Sequence, residues 1–258
     1  MKEKLYLITS LDDFSRKLLF AEFYEKESSW AHIEALQRVF TQFGCPLKYY
    51  ADQHSIFRYV KNRDQERNWN TFSKFTDDTS PQWKQVLKTC SVDVIYALSP
   101  QAKGKIERPY RWLQDRIVRI AAKEKLTTIS ELKEVLKDLV YKYNNVWVHS
   151  TTKEIPNERF ENALNGDCFL FNPLSKVLPN TDLKDIFCLR FKRKVDSYRR
   201  VSFDSHTFEL PKAKPFIEAD IHVSPDFETS TAILRFWQDG IFLDERRIKI
   251  TNLKMVHF

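Results

Sequence analysis

Ser99-Pro100-Gln101-Ala102-Lys103-Gly104-Lys105-Ile106-Glu107-Arg108, continued by Pro109-Tyr110-Arg111-Trp112-Leu113-Gln114-Asp115-Arg116, is the stretch whose reading decides the fold. One acid, Glu107, stands among Lys103, Lys105, Arg108 and Arg111. Such a set suits a site that grips a divalent cation beside a phosphate backbone, the cations holding the polyanion and the carboxylate the ion. Taken alone, the same residues read as a solvated helix start of mixed charge, because short motifs match by chance. The neighbouring segments shift that balance.

Upstream lies Leu47-Lys48-Tyr49-Tyr50-Ala51-Asp52-Gln53-His54-Ser55-Ile56-Phe57. A short apolar run ending in an acid predicts a buried strand that delivers Asp52 at its carboxyl end, where open α/β sheets place their ligands. A second run, Val92 to Leu98, leads directly into the Ser99 motif. A strand ending in Asp-x-x-x-x-Phe, another strand, then Ser-Pro-x-x-x-Gly-x-x-Glu-Arg opening a helix resembles the retroviral-integrase-type catalytic core of DDE insertion-sequence transposases. Leu11-Asp12-Asp13-Phe14-Ser15-Arg16 resembles a turn of the same core, and Asn144-Asn145 to His149 with Pro156-Asn157-Glu158-Arg159-Phe160 resembles its closing segment. The resemblance spans roughly residues 4 to 165.

That resemblance implies an α/β fold: an RNase H-like core, a mixed sheet with helices, here lacking its first strand. It implies a polynucleotidyl transferase of DNA transposition or integration, acting by metal-dependent phosphodiester cleavage and strand transfer. Two Mg²⁺ (or Mn²⁺) ions are expected in a complete site, since hard cations prefer carboxylate oxygens. Asp52 matches the second acid of the family and Glu107 the third, so both are the expected catalytic residues and metal ligands. The first acid belongs to a strand preceding the one that corresponds to Leu5–Leu11. Only two strand candidates precede the first helix, so that strand and its aspartate are expected to be missing. Asp12 or Asp13 is the alternative first ligand. The implied partners are double-stranded DNA, as transposon ends and target, and further copies of the chain on that DNA. Two other classes remain: a DNA-binding remnant without catalysis, and an RNase H-like nuclease that only hydrolyses.

Charge distribution agrees with a polyanionic partner. The chain of 258 residues carries a net charge of +7. Residues 101–125 hold eight Lys or Arg against three acids, and residues 190–200 hold six against one, so the rest of the chain is net negative. Such a balance favours nucleic acid or an anionic membrane surface. Lys103, Lys105, Arg108, Arg111, Lys192, Arg193 and Lys194 are the expected DNA contacts, with Arg190, Arg199 and Arg200 as further candidates. Lys and Arg that discourage edge pairing of a sheet are the competing account of the second cluster. No apolar run approaches the roughly 20 residues of a membrane span. Cys45, Cys90, Cys168 and Cys188 lie far apart without zinc spacing, and are expected to be reduced thiols of a cytoplasmic protein.

In chain order, Leu5–Leu11 and Leu18–Phe23 predict antiparallel strands around a turn. Ser28 or Ser29 caps a helix carrying Trp30, Ile33, Leu36, Val39, Phe40 and Phe43 on one face, stopped by Gly44. Residues 58–80 read as an exposed insertion. Ser80 and Pro81 open a short helix. Pro109 places the start of regular helix near Glu107, because proline is comfortable only in a first turn. Thr128 and Glu131 form a capping box for the next helix. The expected division is a core over 1–165, a linker over 166–185, and a β-rich module over 186–258 built as a small β-barrel of five or six strands.

Overall fold

The computed structural model describes residues 4–51, 81–96, 104–166, 170–254, 256 and 258. Asp52, the 58–80 segment, Lys103 and Cys168 lie outside them, as do the side chains of residues 104–106. The N-terminal half runs β1 (Tyr6–Leu11), β2 (Leu18–Tyr24), α1 (Ser29–Phe43), β3 (Lys48–Ala51), α2 (Gln82–Thr89), β4 (Asp93–Tyr96), α3 (Gly104–Glu124), α4 (Ile129–Asn145) and α5 (Pro156–Asn165). Two short helices, α6 (Leu174–Val177) and α7 (Leu183–Ile186), lead to β5 (Leu189–Lys194), β6 (Arg200–Phe203), β7 (His206–Glu209), β8 (Glu218–Asp226), β9 (Thr231–Gln238) and β10 (Ile241–Lys249).

Local chemistry explains most boundaries. The Ser28 side chain accepts from the Ala31 N–H at 3.2 Å and starts α1. Gly44 ends it at φ +97°, with a backbone N–H donated to Phe40 O. A Cβ there would stand 2.6 Å from Asn172 O, so the close approach requires glycine as well as the dihedral. The Thr128–Glu131 capping box is complete: Glu131 N–H donates to Thr128 Oγ1, and Thr128 N–H to Glu131 Oε2. The β9–β10 hairpin turns on Asp239 and Gly240, both at positive φ, as a two-residue turn with right-handed strand twist demands.

One boundary departs from expectation. α3 starts at Gly104, so Pro109 lies inside the helix rather than in its first turn. Only the carbonyl of Lys105 loses its intrahelical donor, and Pro109 is buried. Packing of that ring offsets a propensity cost of about 3 kcal/mol.

β1 and β2 pair antiparallel, from Tyr6↔Tyr24 to Leu11↔Leu18. β3 and β4 pair parallel through the α2 crossover, from Lys48↔Asp93 to Ala51↔Tyr96. Mixed strand directions with helices alongside give the α/β class expected from the sequence. Among the described residues, however, the two pairs are separate two-stranded sheets. Side chains of β1 alternate between two apolar clusters. Ile8 joins α1 and α2, while Leu5, Leu7 and Leu11 pack against Leu113 and Ile117 of α3 and Leu132, Leu136 and Leu139 of α4.

The C-terminal strands form an antiparallel sheet ordered β10-β9-β8-β5, and a separate β6–β7 hairpin. The closed barrel expected from the sequence does not form through hydrogen bonds among the described residues: β5 and β10 are open edges. The hairpin instead lies on the sheet as a second layer, through Phe203 against Phe191 and Phe208 against Phe236. Side-chain packing closes what strand pairing leaves open. The apolar cluster of α1 and α2 continues without a break into this sheet. No helix among the described residues is long and apolar enough to cross a membrane.

Candidate functional site

α3 places Glu107 in its first turn, exposed at the helix's N-terminal end. The side chain opens on a cavity of about 350 Å³. Ala51, the last residue of β3, lines the same cavity. Asp52 follows Ala51 directly in the chain but lies outside the described residues. Leu7, Ile8, Thr9 and Ser10 of β1 line it too, with Tyr49 and Tyr50 of β3.

Sequence reasoning missed several lining groups. Glu27 and His32 both reach the cavity, and His32 Nε2 stands 3.2 Å from Glu27 Oε1. Tyr110, one turn after Glu107, has its hydroxyl pushed up by burial and by the Glu27 charge. Tyr49 is pushed up by burial, partly countered by its 2.8 Å hydrogen bond to Ser10 Oγ. Glu27 and His32 flank the Ser28 cap and carry no motif, so nothing local marks them.

The donor set suits a hard cation in kind, since its acids are carboxylates. Among the described residues, however, no three His, Cys, Asp or Glu side chains gather as a metal site. Asp12 and Asp13 are engaged in their turn. Asp12 Oδ2 accepts from Ser15 N–H at 2.7 Å and from Ser15 Oγ at 2.6 Å. Asp13 Oδ1 pairs with Arg16 Nη1 at 2.8 Å. Neither lines the cavity that Glu107 enters.

The expected DNA contacts divide. Arg108 and Arg111 are exposed along α3, and Arg108 with Arg16 adds to the burial that lowers the His149 pKa. Lys103 and the Lys105 side chain lie outside the described residues. Lys192 and Lys194 are exposed on β5, Lys192 within 3.7 Å of Asp220 and 4.0 Å of Glu218. Arg193 lies over the Phe203 ring and donates to Lys192 O.

Arg190 is corrected to a structural role. Its guanidinium donates to Thr89 Oγ1 at 2.7 Å and to Asp185 O and Ile186 O, while the Arg190 backbone N–H donates to Gln82 Oε1 at 2.6 Å. Arg199 donates to Pro211 O, and Arg200 pairs with Asp196 at 3.0 Å. Cys45, Cys90 and Cys188 are buried free thiols, and burial pushes Cys188 up to about 11.

No family model matches the chain. Among curated proteins, a Sinorhizobium fredii protein named as a transposase, y4bF, is 27% identical over 204 residues, covering 79% of this chain and 39% of its own length. The transposase for insertion sequence IS1202 of Streptococcus pneumoniae is 24% identical over 246 residues, 94% of this chain and 45% of that protein. The chain therefore spans less than half the length of these relatives. Among solved structures, a simian T-cell lymphotropic virus intasome in complex with the PP2A regulatory subunit B56 gamma aligns over 92% of this chain and 71% of its own, with TM-score 0.43 and 11% identity. The catalytic core domain of BIV integrase aligns over 63% of this chain and 96% of its own, with TM-score 0.37 and 12% identity. The chain is similar in sequence to these transposases, in line with the resemblance its motifs carry.

Proposed function

We propose that this chain is the catalytic part of a DNA transposase, a DDE-type polynucleotidyl transferase acting by metal-dependent cleavage and strand transfer. One observation carries the reading. Glu107, the family's third acid by motif, opens on the cavity that Ala51 lines, immediately before Asp52. Asp52 and Glu107 would hold a Mg²⁺ or Mn²⁺ ion, which when bound activates a water or 3′-hydroxyl and stabilises the leaving oxygen. The exposed cations of α3 and β5 would hold transposon ends and target by their phosphates, on an assembly of several copies. Among the described residues β1 contributes no acid to the cavity, so the chain alone is expected to bind DNA while its metal site stays incomplete.

A strand-transfer assay with pre-cleaved 3′-hydroxyl ends in Mg²⁺ or Mn²⁺ tests this. The chain alone is expected to bind the DNA with steep salt dependence and to join ends poorly. Any joining that occurs is lost in Glu107→Gln and in Asp52→Asn. Joining that survives either substitution overturns the assignment of those acids. Cutting without joining identifies a hydrolytic nuclease instead.

A further inference from the structure

Away from the cavity, α3 and the residues that close α4 build a second feature. Arg108, Trp112 and Arg116 recur at four-residue intervals and so form one stripe along α3. Trp112 meets Trp147 with ring centroids 4.8 Å apart, and Tyr143 of α4 with centroids 5.5 Å apart. The Arg116 guanidinium lies over both indoles, 4.7 Å from the Trp112 ring and 5.3 Å from that of Trp147. Arg116 is nonetheless exposed. The three rings pack on the apolar cluster of α3 and α4, which fixes their positions.

The nearby acids are already engaged. Asp115 pairs with Arg119 at 2.9 Å, and Asp13 with Arg16 at 2.8 Å. Among the described residues, Arg108 and Arg116 have neither a hydrogen bond nor an ion pair. His149 extends the row, its ring centroid 6.4 Å from that of Tyr143. Its Nδ1 accepts from the Thr151 and Thr152 N–H groups at 3.3 and 3.4 Å, which leaves a proton for Nε2 to donate. Burial holds the His149 pKa below the ordinary value, and the charges of Arg16 and Arg108 add to it, so both cations stand close by. On either side of Trp147, Val146 and Val148 are 53% and 61% exposed.

A guanidinium stacked on rings keeps its N–H edges free for an anion, and little side-chain freedom is left to lose on binding. A phosphate alone would need no more than the cations. Rings and apolar side chains left at the surface among them match the faces of bases. A duplex turns those faces inward and offers them nothing. We propose that this stripe is a binding site for an unpaired DNA strand. Arg116 holds one phosphate and Arg108 another, with a base between them against Trp147 and its flanking valines. The two arginines lie about 12 Å apart along the helix, a span that a few nucleotides cover. The inference rests on the chain being a DNA-binding protein, as proposed above, and adds the form of the strand.

The test uses the full chain without metal. A labelled oligothymidylate of about ten nucleotides, the same oligomer without its bases, and a blunt duplex of equal length are titrated at fixed salt. Arg116→Gln and Trp147→Leu are each expected to weaken the oligothymidylate about tenfold and the duplex less than about twofold. Arg116 is exposed, so its substitution keeps the fold even if that of Trp147 does not. Arg116→Lys, which keeps the charge but not the stacked plane, is expected to weaken the oligothymidylate while leaving its salt slope unchanged. The base-free oligomer is expected to bind about tenfold more weakly than the oligothymidylate. Equal weakening of both DNAs by Arg116→Gln makes Arg116 an ordinary backbone contact and overturns the proposal. So does oligothymidylate binding that this variant leaves unchanged, or base-free oligomer bound as tightly as the other. An unaltered chain that binds the duplex but not the oligothymidylate overturns this proposal alone. One that binds neither overturns the DNA reading as well.

Discussion

The Asn144 side-chain amide satisfies both backbone polar groups of Leu18, 126 positions away: Oδ1 accepts from the Leu18 N–H at 2.9 Å, and Nδ2 donates to the Leu18 carbonyl at 2.9 Å. The residue is buried at the end of α4 and clamps that helix to the start of β2. Asn144→Ala leaves a buried N–H and C=O without partners, which costs about 2–4 kcal/mol. Urea unfolding of the two proteins measures the difference. Asn144→Asp is expected to destabilise more at neutral pH than in acid, because an ionised carboxylate then faces the Leu18 carbonyl.

Gly44→Ala is expected to cost about 1–3 kcal/mol or more, from left-handed backbone strain alone. The added Cβ would also press on Asn172 O, whose residue bridges Cys45 through hydrogen bonds of 2.7 and 2.8 Å. Thermal melts check the size. Proteolysis near residue 172 checks whether that bridge opens first.

α7 sets buried Asp185 against the C-terminal sheet, where it accepts from His222 Nδ1 at 2.9 Å and Trp237 Nε1 at 3.0 Å, and pairs with Arg235 at 3.0 Å. Asp185→Asn is expected to destabilise by roughly 3–5 kcal/mol, since it removes the charge from a buried pair. His222 and His149 are both held below the usual histidine range, burial being the larger cause in each. The unfolded chain takes those protons near pH 6.5 and the folded chain only below it. In that window the unfolded state binds more protons, so stability falls as pH drops below about 6.5. Denaturant midpoints at successive pH values measure the slope, and His149→Gln is expected to flatten it.

The two roles of the β5 cations separate by experiment. Arg190→Ala removes the guanidinium bonds to Thr89 Oγ1, Asp185 O and Ile186 O but keeps the backbone bonds to Gln82; it is expected to lower the melting temperature while the salt dependence of DNA binding is unchanged. Replacing Lys192 and Lys194 by Ala leaves the melting temperature nearly constant. It weakens binding across sequences and lowers the logarithmic salt slope by about 0.9 for each phosphate no longer neutralised. A slope unaffected by the lysine pair assigns them to guarding the open β5 edge.

Elements whose causes are local could be read without coordinates. Ser28, Gly44, Thr128 with Glu131, and Asp239 with Gly240 act within a few residues of where they stand, so their positions in the chain were enough to place α1, α4 and the β9–β10 turn. Pro109 misled because its cost is local but its compensation, burial against the rest of the molecule, is not. Arg190 misled for the same reason: its partners at Gln82, Thr89 and Asp185 come from separate elements.

By itself the sequence determined α1, α2, α4 and the β9–β10 turn, the concentration of cations on two segments, and Glu107 as the acid of the α3 motif, while the expected linker over 166–185 instead carries α6 and the start of α7. Only the tertiary structure decided that β1 and β3 line one cavity, that Glu27, His32 and Tyr110 share it with Glu107, and that the last six strands pack as sheet and hairpin. Side-chain periodicity records which face of a strand is buried. It carries no record of which backbone edge finds a partner, because every residue but proline offers the same N–H and C=O whatever its side chain.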